Sequence, residues 1–131
     1  MKRTFLPSGW SNPRGYANAV AARGTSVYIA GQIGWDADEQ FHSTEFAAQA
    51  RQALLNVAAA LEAAGGRPEH LVRMTWYVTD KREYLASLRE VGQAFREVIG
   101  DYDIAMSAMQ VAALIEDEAK VEIEATAVIP D

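Results

Sequence analysis

Two carboxylates near the C-terminus are the side chains of this chain best suited to acid–base chemistry. Glu122 and Glu124 stand two positions apart in VEIEATAV, where apolar residues fill the alternate positions. A carboxylate held in such a segment can position or activate a water molecule. Ion pairs across a sheet, for example with Arg73, explain the same pattern. The residues alone leave both interpretations open.

A second segment, IAMSAMQV, carries Met106, Ser107 and Ala108. A methionine has no charge and donates no hydrogen bond, so it either fills a core or enlarges the apolar lining of a cleft. Core filling is the more ordinary role in a strand. Tyr16 has a similar pair of roles, as a hydroxyl in a cleft or as a packing residue at a sheet edge.

The composition argues against several kinds of site and partner. The chain has no cysteine, and its two histidines, His42 and His70, stand in loop-like settings without partners at ligand spacing. We therefore expect no metal and no cofactor. The net charge is −6 with dispersed Lys and Arg, whereas nucleic-acid binding requires a basic stripe. No nucleic-acid partner is expected.

The length of 131 residues predicts a single domain over residues 1–131. The N-terminus has no apolar run typical of a signal peptide, and no segment approaches the ~20 apolar residues of a membrane span. The sequence thus predicts a soluble, cytoplasmic protein with no membrane association.

Hydrophobic periodicity predicts the order β-β-α-β-α-β-β. The predicted strands are residues 16–22, 26–30, 71–78, 105–111 and 120–129; the predicted helices are residues 45–64 and about 81–98. The first fifteen residues read as an irregular arm, the first two strands as a hairpin, and GQIG as a place of close backbone approach. This is an α+β fold with two helices on one face of a mixed sheet. The other face stays uncovered, which is typical of an oligomer.

Seven short motifs follow one another along the chain. They are Tyr16 with Ala19-Val20, VYIAGQI at 27–33, QARQALLN at 49–56, LEAAG at 61–65, YVTD at 77–80, VAAL at 111–114 and VEIEA at 121–125. Each is weak alone, but all of them at these spacings resemble the RidA family, also called YjgF/YER057c/UK114. The resemblance implies a chorismate-mutase-like α+β subunit. It also implies a homotrimer with a central barrel of joined sheets and ligand clefts at the three interfaces.

The resemblance further implies hydrolysis of reactive enamines and imines, such as 2-aminoacrylate, to 2-keto acids and ammonia. An arginine would hold the substrate carboxylate, a carboxylate would position water, and backbone groups would orient the imine nitrogen. By the resemblance, Glu122 is the catalytic carboxylate. The substrate cleft would be lined by Tyr16, Ala30, Gly31, Met106, Ser107 and Ala108.

The chain departs from the family pattern at the cleft. Members with the activity carry an arginine where this chain has Met106, and each lost charge-assisted hydrogen bond is worth about 1.5–3 kcal/mol. Ala30 replaces the usual hydroxyl residue, and Ala17-Asn18 replaces a Ser-Gln pair. Arg14 is either a substitute cation or a solvated loop residue, and Trp35 is either a cleft wall or a packing residue of its loop.

These features predict a RidA-like homotrimer that binds a small metabolite in clefts between subunits, with the usual deaminase activity impaired or replaced. One alternative is a hydrolase that acts on a different, less anionic enamine or imine with Glu122 and water. Another is a non-catalytic trimer that binds a ligand or a protein. The endoribonuclease function attached to some relatives is disfavoured by the acidic charge.

Overall fold

The fold is built on a mixed four-stranded sheet. The structure is a computed structural model that describes residues 2–131. Its strands are β1 (Lys2–Phe5), β2 (Ala19–Ala22), β3 (Thr25–Ile33), β4 (Leu71–Val78), β5 (Ala105–Gln110) and β6 (Val121–Ile129). Its helices are α1 (Phe46–Ala63), α2 (Lys81–Ala86) and α3 (Leu88–Val98), with a 3₁₀ turn at Pro68–His70. The predicted α+β class is confirmed.

The strand order in this sheet is β3-β6-β4-β5. β6 is antiparallel to both β3 and β4, whereas the edge strand β5 runs parallel to β4. A parallel pair needs a crossover connection, which α2 and α3 supply here. The edge position of β5 matters for the site, because one side of that strand is left open to other groups.

The predicted hairpin between residues 16–22 and 26–30 is wrong. The N-terminal arm contains a strand, β1, and it pairs antiparallel with β2, whereas β3 pairs with β6. The nine-residue β6 offers β3 a longer ladder than the four-residue β2 does. At Gly24, where φ is +146°, a Cβ would lie 2.1 Å from the carbonyl oxygen of Ile129, so the turn itself packs against the end of β6.

The second predicted helix is interrupted at Ser87. Its φ of −109° and ψ of 10° leave the helical region, and its N–H donates to the carbonyl of Tyr84 at 3.0 Å. Serine competes with helical hydrogen bonding through its own side chain, so it is a tolerated breaking point. Asp80 caps α2, because its carboxylate accepts a hydrogen bond from the N–H of Arg82 at 2.9 Å.

The core lies between the helices and one face of the sheet. The largest fully buried side chains come from α1, β4, β6 and the segment before β5; they include Leu54, Val57, Leu61, Leu71, Met74, Ile104, Val121 and Ile123. A register irregularity between Leu71 and Arg73 turns Leu71, and not Val72, into the core. The opposite sheet face carries the intervening residues of β4 and β6 and is uncovered in this subunit.

The GQIG segment brings backbone close to neighbours at both glycines, as predicted. A Cβ on Gly34 would lie 2.6 Å from the Cβ of Gln49, so β3 ends directly against α1. Gly31 has an even closer neighbour in the candidate site. None of the helices within residues 2–131 has the length and apolar character that a membrane span requires.

Candidate functional site

A groove of about 420 Å³ lies beside the edge strand β5. Met106, Ser107 and Ala108 of that strand form one side, and Arg14, Gly15 and Tyr16 lie along its rim. The rim segment is held in place because the N–H of Ala17 donates to the carbonyl of Ile104 at 2.8 Å, next to a bridge between Ala17 and Ala105. The structure therefore brings Tyr16 and the β5 residues together along one groove.

Aromatic side chains form the remaining wall of the groove. The rings of Phe95 and Tyr102 stack with centroids 4.7 Å apart, and Tyr84 lies 6.4 Å from Trp76. Burial raises the pKa of Tyr84, so its phenol remains neutral and able to donate a hydrogen bond. The wall is therefore broad and apolar, with a few hydroxyl groups.

Gly92 of α3 makes room for one of these rings. The Tyr102 hydroxyl donates to the carbonyl of Gly92 at 3.3 Å and accepts from Nη1 of Arg96 at 3.2 Å. A Cβ on Gly92 would lie 3.3 Å from that hydroxyl oxygen. Tyr102 is thus fixed at the groove by contacts with the helix.

Met106 has both of the roles that the sequence left open. It is half-buried and packs against the core, next to Met74 in the parallel register of β4 and β5. It also lines the groove. At this position it offers a polarizable apolar surface and no charge or hydrogen-bond donor that could bind an anion.

Glu122 lies on the other face of the sheet. Its neighbours Val121 and Ile123 are fully buried, so Glu122 points away from the core and is half-buried. A Cβ on Gly31 would lie 1.9 Å from Oε2 of Glu122, which means that the carboxylate rests on the bare backbone of β3. None of the ion pairs formed within residues 2–131 involves Glu122.

Glu124 has a different partner from the one considered. The hydroxyl of Tyr77 donates a short hydrogen bond to Oε1 of Glu124. This hydrogen bond, with smaller effects of burial and of Glu122, raises the pKa of Tyr77. No ion pair joins Arg73 to either glutamate within the described chain. The cross-sheet pairing interpretation therefore fails for Arg73, and Glu122 keeps a carboxylate free for other chemistry.

The predicted site residues divide between two surfaces. Tyr16, Met106, Ser107 and Ala108 line the groove, whereas Ala30 and Gly31 are exposed on β3 near Glu122. In register, Met106 is level with Met74 on the core side, and Glu122 is opposite Tyr77 on the uncovered side. One subunit therefore does not assemble all of them into a single pocket.

Three other residues considered from the sequence lie outside the groove. Trp35 packs on Phe41 in the loop after β3, with ring centroids 5.9 Å apart. His42 contacts Asp36 at 2.5 Å, a hydrogen bond that lowers the pKa of Asp36, and Nδ1 of His70 accepts from the N–H of Arg67 at 3.0 Å. Residues 2–131 contain no group of three or more potential metal ligands.

Proteins similar to this chain in sequence and in structure belong to one family. The family described as Endoribonuclease L-PSP matches residues 11–129. A 2-iminobutanoate/2-iminopropanoate deaminase of Salmonella typhimurium is 37% identical over 105 residues, 80% of each chain. A Rid-family protein of unknown function from Yersinia pestis has a TM-score of 0.86 and 31% identity over 98% of each chain. The structure of E. coli TdcF with bound serine has a TM-score of 0.71 and 32% identity, covering 92% of this chain and 91% of that one.

The chain belongs to the RidA (YjgF/YER057c/UK114) family. The match extends over nearly the whole described chain and includes both surfaces that carry the predicted site residues. The family resemblance and the fold expected from the seven motifs are confirmed. The roles of the individual RidA site residues stay predictions.

The aromatic wall was missed from the sequence of this RidA-family chain. The helical spacing of Tyr84, Leu88, Val91 and Phe95 predicts one buried stripe, yet all four line the groove. Tyr84 is only half-buried and Leu88 is 48% exposed. The length of this stripe was the signal available in the sequence. When a helical stripe is longer than the surface it packs against, its remaining end faces a cavity or solvent.

Proposed function

We propose that this RidA-family protein is a homotrimer whose clefts between subunits bind a small metabolite, with weak deaminase activity on small imino acids. One observation carries the proposal. The groove with Tyr16 and Met106 and the surface with Gly31 and Glu122 lie on different faces of one sheet. A site that uses both surfaces needs a second copy of the chain.

The uncovered sheet face supports assembly. Tyr28 is 80% exposed on β3, where it pairs with Thr126 of β6. Large aromatic side chains on a central sheet face are commonly buried in oligomers, because a closed assembly removes their apolar area from water. In the proposed trimer this face lies inside the assembly.

The relatives indicate the class of ligand. One carries the name of a 2-iminobutanoate/2-iminopropanoate deaminase, and another was solved with serine bound. Both names point to small amino or imino acids with a carboxylate. At Met106 this chain lacks the cation expected to hold that carboxylate, which removes one or two charge-assisted hydrogen bonds of about 1.5–3 kcal/mol each.

A second candidate is hydrolysis of a different, less anionic enamine or imine. The unpaired carboxylate of Glu122 favours it. Glu122 would take a proton from water as the water oxygen bonds to the imine carbon, and the proton would then reach nitrogen. Loss of ammonia from the tetrahedral adduct would leave a carbonyl product, so that one imine and one water give one carbonyl compound and one ammonia.

An RNA-cleaving function, which the family description names, has less support here. The net charge is −6, and Arg14 is the only cationic side chain among the described residues that line the groove. Phosphate backbones are bound through several cations at once.

The test combines mass and turnover. Sedimentation equilibrium should give three times the subunit mass of 14.3 kDa. With freshly generated 2-aminoacrylate, the wild type should be slow, and Met106→Arg should raise kcat/KM at least tenfold because a bidentate cation enters the groove. Met106→Lys should gain less, and Met106→Leu should gain nothing. Wild-type turnover equal to that of arginine-bearing relatives, or a monomer at working concentration, would contradict the proposal.

A further inference from the structure

We propose that the groove beside β5 takes a monocarboxylate with a bulky, apolar body, and that Arg14 holds its carboxylate. This inference rests on the proposed function and narrows its ligand class. Among small metabolites, it favours an aromatic or branched acid over the smaller amino and imino acids that the relatives' names indicate.

The charge of the groove points to an anion. Among the described residues that line it, Arg14 alone carries a charge. No ion pair within residues 2–131 occupies the Arg14 guanidinium. An arginine presents its donors as a planar fork that matches a carboxylate, so one free arginine at an apolar groove selects one carboxylate.

The backbone holds this cation at the groove. Gly15 follows it with φ of +78°, a conformation that glycine adopts without strain, and a Cβ there would lie 4.0 Å from the ring of Tyr102. Three residues after Arg14, the N–H of Ala17 is bonded to the carbonyl of Ile104. The arginine thus stands on a segment fixed to the start of β5, along the rim of the groove.

The size and lining of the groove point to the apolar body. Its volume of about 420 Å³ lies within the roughly 300–1,000 Å³ typical of sites for drug-sized ligands. The exposed Leu88 and the half-buried Tyr84, Tyr102 and Met106 supply apolar or polarizable surface, and the buried rings of Trp76 and Phe95 lie beneath them. A two-carbon side chain leaves most of that surface wet, whereas a phenyl or branched group covers it.

Isothermal titration calorimetry with three probes separates the contribution of the carboxylate charge to affinity from that of the apolar ring. The probes are 3-phenylpropanoate, its neutral amide 3-phenylpropanamide, and propanoate. We expect the wild type to bind 3-phenylpropanoate at least tenfold more tightly than either other probe, since only that probe has both the charge and the ring. Arg14→Gln should reduce the affinity for the acid to that for the amide and leave the amide unchanged.

Arg23→Gln is the matched control, because Arg23 is an exposed arginine that does not line the groove. It should bind all three probes as the wild type does. Equal affinities of the wild type for the acid and the amide, unchanged binding of the acid by Arg14→Gln, or no binding of 3-phenylpropanoate by the folded protein would each overturn the inference. Failure of the proposed function shows separately, in the subunit mass and in the turnover of 2-aminoacrylate.

Discussion

Gly31 determines where the Glu122 carboxylate lies. The position of its missing Cβ is only 1.9 Å from Oε2 of Glu122, so any side chain at residue 31 must displace that carboxylate. The atoms in the way belong to the end of a flexible side chain, which can move without unfolding the strand. Gly31 is therefore a positioning residue for Glu122.

We expect Gly31→Ala to fold and to lose most of the hydrolysis that depends on Glu122. In single turnover of 2-aminoacrylate at high protein concentration, Gly31→Ala and Glu122→Gln should lower the rate by similar factors. The double variant should be no slower than the slower single variant, because both changes remove one interaction. If the two effects multiply instead, Gly31 acts independently of the carboxylate.

Part of the candidate site could be predicted from the local sequence pattern. The alternation in β6 predicts that Glu122 and Glu124 share the face opposite Val121 and Ile123, and the structure agrees. The position of Arg14 beside the groove could not be predicted. It depends on a contact between the segment around Ala17 and β5, which are far apart in sequence. Local patterns carry no information about such a contact.

At the scale of elements, Gln49 joins three parts of the chain. Its Nε2 donates to the carbonyls of Ser43 and Glu118, both at 3.0 Å, and its Oε1 accepts from the N–H of Lys120 at 2.8 Å. The side chain is only 2% exposed. It therefore fixes α1 against the loop that leads into β6, and so places the strand that carries Glu122.

Gln49→Met should destabilise the fold by about 1–3 kcal/mol, because a side chain of similar length leaves three part-buried backbone groups without a partner. Urea unfolding followed by circular dichroism measures the loss as a lower midpoint at constant slope. Gln93→Met on the exposed side of α3 is the control and should change stability by no more than about 0.5 kcal/mol. Equal effects of the two changes would argue against the bridging role.

The elements show where sequence patterns are reliable. The span of β4 was predicted to the residue and that of α1 to within one residue at each end, because each has a strong period and clear end signals. The partners of β2 and β3 were wrong. The partner of β3 depends on which strands elsewhere in the chain can pair with it. The turn signal at Gly24 is local and does not reveal that β6 is a longer partner than β2.

At the scale of the whole molecule, the uncovered sheet face should hold the assembly together. Tyr28→Asp places a charge on that face, and a buried unpaired charge is strongly unfavourable. We expect the variant to sediment as a smaller species than the wild type at the same concentration. Leu55→Asp is the control, since Leu55 lies 44% exposed on α1, outside the proposed interface, and should leave the mass unchanged. A Tyr28→Asp trimer as stable as the wild type would place the interface elsewhere.

The separation of the candidate site over two sheet faces also bears on how such a protein can diverge. The surface of Gly31 and Glu122 allows little change, because even one methyl group displaces the carboxylate. The groove beside β5 is built from side chains of an edge strand, a helix stripe and a surface segment, each of which can be exchanged with little effect on the other face. Selection can thus change which ligand the groove admits while Glu122 and Gly31 are retained, and Met106 together with Arg14 has the form of one such exchange.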